Sequence, residues 1–203
     1  MKIYYNFDIP GKLKNSILLI GNFDGLHVGH QKLFNLAKKF KKKFKSKIGV
    51  ITFEPMPKMY FNKNLKNFRI SNLNQKKEIL KNFGTDFLII KKFNKKFSKI
   101  KSLDFIKKIL YQKLNTKFIF VSSNFRFGNK REGDIKQLTS YERIFRYKLI
   151  KPKPLKLRKK IVSSTLIRKL ISKGKINLAN KLLNRKWSIF SKVQEGKKLG
   201  KKI

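Results

Sequence analysis

Short apolar runs recur along the chain at intervals that suit a parallel β-sheet. Each run is four to six residues long and rich in β-branched and aromatic side chains. Such runs lack the regular polar alternation of a half-exposed strand, so they are typical of strands covered on both faces. The pattern predicts strands at Ser16–Ile20, Ile48–Phe53, Phe87–Ile90 and Phe118–Val121, with Tyr147–Ile150 as a candidate for the last one.

The segments between these runs have a helical period. From position 29 to about position 44, apolar residues stand three and four positions apart, at Leu33, Leu36 and Phe40, with lysines opposite. Similar spacing predicts helices over Leu73–Phe83 and Leu103–Leu114. Strands that alternate with helices predict an α/β fold, a Rossmann-like open parallel sheet with helices on both faces. Ligands of such sheets bind at the carboxyl ends of the strands.

A lysine- and proline-rich loop, KPKPLKLRKK, follows the last candidate strand. After it, Ser163 or Ser164 can cap a helix that Gly174 ends, and a second short helix over Lys175–Leu183 is expected to pack behind the first. We therefore expect one domain over residues 1–183. Residues 184–203 are expected to form a poorly ordered tail.

The composition is strongly basic, with 53 Lys and Arg against 10 Asp and Glu and a formal charge of +43. Lysines are spread over the whole length, which favours a solvated coat over a specific nucleic-acid interface. Such a charge still attracts anionic ligands such as nucleotides. The chain has no cysteine, which excludes disulfides and thiolate metal sites. It shows no signal peptide and no membrane-length apolar run, so we expect a cytoplasmic protein with no membrane partner.

Both histidines of the chain lie in one turn, GNFDGLHVGH, directly after the first predicted strand. A strand, a glycine-containing turn and a helix N-terminus present free backbone N–H groups that favour a bound phosphate. His27 and His30 can add directed donors to the same anion, and Gly29 leaves room for a nucleotide against the backbone. The turn is therefore a candidate phosphate-binding site.

The segment VSSTLIR offers a second helix N-terminus with hydroxyl and guanidinium donors. Ser163, Ser164, Thr165 and Arg168 are suited to the distal phosphates of a triphosphate. A serine before an amphipathic helix is common, so this segment gains its meaning from the histidine turn.

Together the two motifs resemble the nucleotidylyltransferase superfamily, in which an HxGH turn and an ISSTxIR-like segment bracket the triphosphate of ATP. From about residue 16 to residue 203, the chain is similar to the N-terminal FMN adenylyltransferase module of bacterial bifunctional riboflavin kinase/FAD synthetases. The further blocks that carry this likeness are TFEPMP (52–57), RISNLNQKKEIL (69–80), GTDFLIIKKFNKKFS (84–98) and SSNFRFGNKREGD (122–134).

The resemblance implies that the chain transfers AMP from ATP to FMN, with FAD and pyrophosphate as products. It implies Mg²⁺ bound with ATP, no tightly bound organic cofactor beyond FMN or FAD, and only small-molecule partners. The catalytic residues it implies are His27, His30 and Arg168. The ATP-binding residues are Gly21, Asn22, Phe23, Asp24, Gly29, Ser163, Ser164 and Thr165. The FMN-binding residues are Phe53, Pro55, Pro57, Asn124, Phe125, Arg126 and Phe127. No carboxylate cluster identifies a metal site.

The chain departs from the family pattern at three positions and at its end. Met56 stands where FEPHP has a histidine, and Ser122 and Ser123 replace a Gly-acidic pair, which could change the affinity for flavin. Residues 184–203 resemble the opening of a riboflavin kinase domain that does not continue here. Kinase activity is therefore expected to be absent.

Two other functions fit the same sequence. A sister HxGH transferase would act on a different phosphate, such as a pantetheine phosphate or nicotinamide mononucleotide. A basic RNA-binding protein on this fold would show sequence preference and a steep salt dependence. A third alternative is an inactive remnant, which a turnover assay identifies.

Overall fold

Six parallel strands form the central sheet in a computed structural model that describes residues 1–65, 68–157 and 160–190. The strands are β1 (Lys2–Tyr4), β2 (Ile17–Ile20), β3 (Ile48–Glu54), β4 (Phe87–Lys92), β5 (Phe118–Phe120) and β6 (Lys148–Ile150). Their order across the sheet is β1-β4-β3-β2-β5-β6. The predicted α/β class is confirmed, since all these neighbours pair in parallel.

Helices connect the strands and cover the sheet. They are α1 (Val28–Phe44), α2 (Pro57–Phe61), α3 (Leu73–Asn82), α4 (Lys95–Ser98), α5 (Ser102–Asp104), α6 (Ile135–Ser140), α7 (Ser164–Ser172) and α8 (Ile176–Leu183). A π-helical segment, Phe105–Lys113, continues α5, and 3₁₀ turns lie at Gly11–Leu13 and Asn129–Arg131. Within the described residues, no helix is both long and apolar enough to span a membrane.

Each strand sends alternate side chains to opposite faces, and both faces are buried. On one face, Leu19 and Val50 pack with Phe34 of α1 and Leu80 of α3. The other face, which includes Leu18, packs against the π-helical segment. The apolar runs read from the sequence are therefore buried on two sides, as that pattern requires.

The strand order creates a crevice next to β2. From the central pair β2–β3 the chain continues outward to β4 on one side, and it later returns to place β5 on the other side of β2. Ligands of open parallel sheets bind at such a reversal, beyond the carboxyl ends of the strands. The turn after β2 opens into this crevice.

Three details differ from the sequence expectations. The edge strand β1 was not predicted, because it is short and two of its three residues are exposed. The helix expected over Leu103–Leu114 is π-helical for most of its length. The lysine-rich loop contains a small antiparallel hairpin, β7 (Lys156–Leu157) with β8 (Lys160–Ile161).

Residues 184–190, which the sequence led us to expect as part of a loose tail, contact the domain through Trp187. The Trp187 indole Nε1 donates to the carbonyl of Ile70 at 2.9 Å, and its backbone N donates to Asn180 Oδ1 at 2.7 Å. The indole thereby links the end of α8 to the segment before α3. Residues 191–203, to which the same expectation applied, lie outside the described residues.

Candidate functional site

The turn between β2 and α1 has an unusual backbone. Phe23 and Leu26 have positive φ angles of 46° and 39°, and Gly25 lies between them at 77°. A Cβ on Gly25 would lie 2.8 Å from the side chain of Ile70, so this position has no room for a larger residue. The tight path sets Asn22 and Asp24 at the carboxyl end of β2, facing the crevice.

The two histidines have stacked rings but different partners. His27 is the N-cap of α1, and its Nδ1 accepts from the backbone N–H of His30 at 3.3 Å. The ring centroids are 3.7 Å apart, with planes inclined by 19°. A Cβ on Gly29 would lie 3.1 Å from the His27 ring. The space that we expected Gly29 to leave for a nucleotide is thus taken by the His27 imidazole.

Only one of the two rings lies on the crevice. His27 is 5% exposed and is absent from the crevice wall, whereas His30 forms part of it. Among the described residues, the buried Nδ1 of His30 has no hydrogen-bond partner. His30 is therefore the imidazole on the cleft wall, and His27 caps the start of α1.

Both imidazoles are held in their neutral form at pH 7. Burial lowers the pKa of His27 to about 4, an effect that the Asp24 carboxylate opposes and the Arg168 guanidinium strengthens. Burial also takes the pKa of His30 well below its usual value, with smaller contributions from His27 and Lys76. Each ring thus offers a neutral donor or acceptor, without a formal charge.

The N-terminus of α7 is bound directly to the histidine turn. The Ser164 hydroxyl donates to the backbone carbonyl of Asp24 at 2.9 Å, across 140 positions of sequence. The Arg168 guanidinium donates to Asp24 Oδ2 at 2.8 Å and to the carbonyl of Phe68 at 2.8 Å. Its central carbon also stacks 3.7 Å from the centroid of the Phe68 ring. The two motifs therefore share one site.

Asp24 is the junction of this arrangement. It is 2% exposed, and its carboxylate accepts from the backbone N–H groups of Ile70 and Ser71 at 3.0 and 3.3 Å, besides pairing with Arg168. Breaking such a buried pair leaves an uncompensated charge, which destabilises a protein by roughly 3–5 kcal/mol. Asp24 therefore holds together the histidine turn, α7 and the segment before α3.

A cleft of about 820 Å³ lies between the histidine turn, the N-terminus of α7 and the loop after β5. That volume is in the usual range for ligand pockets, roughly 300–1,000 Å³. Its wall includes most of the residues expected from the sequence: Gly21, Asn22, Phe23, Asp24, His30, Phe53, Pro57, Asn124, Phe125, Arg126, Phe127, Ser164, Thr165 and Arg168.

Four expected residues lie outside that wall. His27 and Ser163 are helix caps, since the Ser163 hydroxyl accepts from the N–H of Leu166 at 3.2 Å. Gly29 lies against the His27 ring, and Pro55 lies directly after β3. The structure thus gives the two caps local backbone roles, and brings fourteen of the eighteen expected residues to one cavity.

One end of the cleft is aromatic. Phe125 and Phe127 have nearly parallel rings with centroids 5.6 Å apart, and Phe127 also contacts Phe105 of the core. Phe53 packs against Phe93 and Phe97. Phe127 is thus both a core residue and a wall residue. Flat aromatic faces of this kind suit a planar heteroaromatic ligand.

Sequence reasoning missed part of the wall: Lys58, Phe61, Asn62, Phe68, Phe93, Phe97, Lys130 and Arg131. Several of these lie in short helices and loops, where no periodic pattern marks them. One usable signal was the acidic–basic pair of Glu54 and Arg69, in which Nη1 and Nη2 of Arg69 donate to the two carboxylate oxygens of Glu54. This pair fixes the segment that carries Phe68 to the end of β3.

Comparison with known proteins gives consistent results. A family model described as FAD synthetase matches residues 9–166. The chain is 40% identical over 187 residues to the bifunctional riboflavin kinase/FMN adenylyltransferase of Buchnera aphidicola subsp. Acyrthosiphon pisum, covering 92% of this chain and 60% of that protein. It is 30% identical over 187 residues to the protein of the same name from Escherichia coli strain K12, again with 92% and 60% coverage.

A solved structure has the same architecture. A crystal structure described as a macrolide-efflux protein from Streptococcus pneumoniae superposes with a TM-score of 0.80 at 28% identity, covering 92% of this chain and 72% of that one. The chain spans about 60% of the length of the two curated relatives.

Proposed function

Because the chain belongs to the FAD synthetase family, we propose that it transfers the adenylyl group of ATP to FMN. A phosphate oxygen of FMN attacks the α-phosphorus of ATP and forms the new P–O bond. The bond from the α-phosphorus to the oxygen that bridges to the β-phosphorus breaks, and pyrophosphate leaves. No protein nucleophile takes part, so positioning and charge stabilisation must provide the catalysis.

The observation that carries this proposal is the junction of the two motifs at one cleft. Ser164 and Arg168 bind Asp24 of the histidine turn, so the N-termini of α1 and α7 belong to one site. Free N–H groups at helix N-termini favour phosphate groups. A triphosphate between the two helices would share the cleft with the aromatic wall residues, whose flat faces suit a flavin ring.

The residue roles follow from access to the cleft. His30, whose Nδ1 finds no partner among residues 1–65, 68–157 and 160–190, binds the phosphates of ATP, and His27 orients it by capping α1. Ser164, Thr165 and the remaining N–H groups of Arg168 hold the β- and γ-phosphates and the departing pyrophosphate. Asn124, Arg126 and the wall phenylalanines take FMN.

The donor groups on the wall fit a magnesium ion that the nucleotide brings with it. The described residues contain no cluster of three or more His, Cys, Asp or Glu that could hold a metal on its own. Asn22 lies on the cleft wall, and its buried Oδ1 lacks a partner in the described part of the chain, so a small side-chain rotation would let it supply one oxygen ligand. When bound, Mg²⁺ neutralises charge on the phosphate oxygens.

This proposal needs only ATP and FMN as partners and places no nucleic acid in the cleft. The relatives' names also include riboflavin kinase, but the proposed reaction concerns adenylyl transfer alone and takes FMN as a supplied substrate. The solved structure from Streptococcus pneumoniae is described as a macrolide-efflux protein. We do not propose efflux for this chain, because the proposal follows from the two helix N-termini at the cleft.

The test is turnover by the purified chain with FMN, ATP and MgCl₂, followed by chromatography of flavins and an assay of pyrophosphate. We expect FAD and pyrophosphate in equal amounts. Nicotinamide mononucleotide and phosphopantetheine, supplied in place of FMN, serve as controls and should give no adenylylated product. Product from either of them, with none from FMN, would favour the sister transferase, and binding of ATP and FMN without any product would reject the activity.

A further inference from the structure

Lys76 is a buried lysine close to the proposed ATP site. It lies in the middle of α3, is 2% exposed, and is among the largest fully buried side chains of the protein. Among the residues that the structure describes, its Nζ has no hydrogen-bond partner. Burying an amine in this way is costly unless something compensates for it.

The charges around Lys76 do not balance. The carboxylates that act on it are Asp24 and Glu54. Each of them is already paired with a guanidinium, Asp24 with Arg168 and Glu54 with Arg69. With Lys76 and with Arg185, on which Asp24 also acts, two carboxylates face four cations, so positive charge is in excess.

Backbone contacts place this excess charge near the cleft, because the segment directly before α3 donates two backbone N–H groups to Asp24 on the cleft wall. Lys76 itself is absent from the wall, but Asp24 and His30, on which its charge acts, both belong to it. The same stretch of wall carries two other buried polar atoms that find no partner in the described ranges, His30 Nδ1 and Asn22 Oδ1. Three unpartnered polar groups in one region indicate that a polar ligand completes it.

We propose that Lys76 is a positioning residue whose buried positive charge is balanced by the polyphosphate of the bound nucleotide, through the part of the wall that His30 and Asp24 form. The inference rests on the proposed function, since it takes ATP as the ligand of this cleft. The inference adds to the site a residue that does not itself line the cleft. Lys76 raises the affinity for the nucleotide in proportion to the nucleotide's charge, at the expense of stability when the cleft is empty.

The direction of the lysine's own ionisation agrees with this role. Burial lowers the pKa of Lys76, and the carboxylates of Asp24 and Glu54 only partly oppose the effect. A bound polyphosphate would favour the protonated amine, because an opposite charge nearby favours the charged form.

The experiment compares Lys76→Met with Lys77→Met, which makes the same charge change on the adjacent, partly exposed residue of α3. Thermal unfolding and binding are measured for each full chain with adenosine, AMP and ATP. In Lys76→Met, we expect the empty protein to unfold at a higher temperature and the affinity for ATP to fall roughly tenfold. The affinity for AMP should fall less, and adenosine should bind as tightly as it does to the wild type.

Steady-state kinetics separate positioning from a merely structural role. The KM for ATP should rise in Lys76→Met while kcat stays within about twofold, and Lys77→Met should match the wild type. If the Met variant does not fold, Lys76→Gln is measured with the same series of adenosine, AMP and ATP. An unchanged affinity for ATP, or an equal loss for adenosine and ATP, would overturn the role of Lys76. Wild-type protein that binds ATP but forms no FAD would reject the proposed function alone, since binding of adenosine, AMP and ATP still tests the role of Lys76.

Discussion

At the scale of single residues, His27 and His30 show how neighbours in sequence come to differ in function. The same motif supplies both imidazoles, yet one caps a helix and the other faces the cleft. The distinction arises because the His27 ring turns back over Gly29 to accept the N–H of His30. Each ring therefore has its own experimental consequence.

Replacing His30 by alanine should impair the use of ATP and spare the binding of FMN. We expect kcat/KM for ATP to fall at least about 100-fold, as for the loss of a preorganised donor to a transition-state oxygen. The affinity for FMN, measured by fluorescence titration, should stay within about twofold. Lys32→Ala, on an exposed position of α1, is the matched control and should change neither value. Loss of FMN binding with normal turnover would contradict the assignment.

His27 should make the free energy of unfolding depend on pH between about 4 and 6.5. In the unfolded chain the imidazole binds a proton below about pH 6.5, whereas in the folded chain its pKa is lowered to about 4. The unfolded state thus binds more protons in this window, so stability falls as the pH falls through it. His27 contributes up to about 3 kcal/mol of this loss.

His27→Asn is the informative variant, because asparagine is a good N-cap that does not titrate. Urea unfolding of both proteins at pH 7 and pH 4 measures the difference. The variant should lose less stability than the wild type over that interval, and His30 should supply the remaining histidine-dependent loss. Equal losses in both proteins would show that the His27 imidazole is not held neutral.

At the scale of elements, α7 contributes to the site through its first turn. Ser163 caps the helix, Ser164 reaches the carbonyl of Asp24, and Thr165 lies on the cleft wall. Three consecutive hydroxyls thus have three different partners or surroundings. A helix N-terminus turns a short polar run into a site because its backbone direction fixes each side chain.

Ser163→Ala and Thr165→Ala should separate stability from binding in α7. Loss of the Ser163 cap should lower the free energy of unfolding by about 1 kcal/mol. Thr165→Ala should change stability by less than about 0.5 kcal/mol, because the residue is exposed, and should raise the KM for ATP roughly tenfold. Denaturant unfolding and steady-state kinetics on the same preparations decide the matter. The reverse pattern would place the phosphate contact at Ser163.

At the scale of the whole molecule, the formal charge of +43 acts on every anion that approaches. At the cleft itself the positive charge is partly balanced, because Arg168 and Arg69 are each paired with a carboxylate. The overall field therefore governs encounter, and the buried groups govern the bound geometry.

Added salt should therefore weaken the encounter with ATP and leave the chemical step unchanged. Raising ionic strength from 0.1 to 1 M shortens the screening length from about 10 Å to about 3 Å. We expect the KM for ATP to rise several-fold while kcat stays constant. Adenosine, which carries no charge, is the control and should bind equally at both salt concentrations. A fall in kcat alone would show that salt acts on the site itself.

The local pattern determined most of the secondary structure. Leu33, Leu36 and Phe40 repeat at the helical period, and the run Ile48–Phe53 can be satisfied only by burial on both faces, so α1 and β3 follow from short-range chemistry. The edge strand β1 escaped prediction because its pairing with β4, more than 80 positions away, supplies what its exposed side chains do not. The contacts of residues 184–190 were not predicted for the same reason, since Trp187 donates to the carbonyl of the distant Ile70.

The sequence by itself determined the sheet-forming runs, the amphipathic helices and the two candidate motifs, the histidine turn and VSSTLIR, because spacing along the chain carries that information. Only the tertiary structure decided what each polar atom of those motifs contacts. The partner of Arg168 is Asp24, 144 positions away, and the burial of Lys76 depends on how α3 packs near the end of β3. Hydrogen bonds and charge balance depend on distances in space, and long-range packing sets those distances.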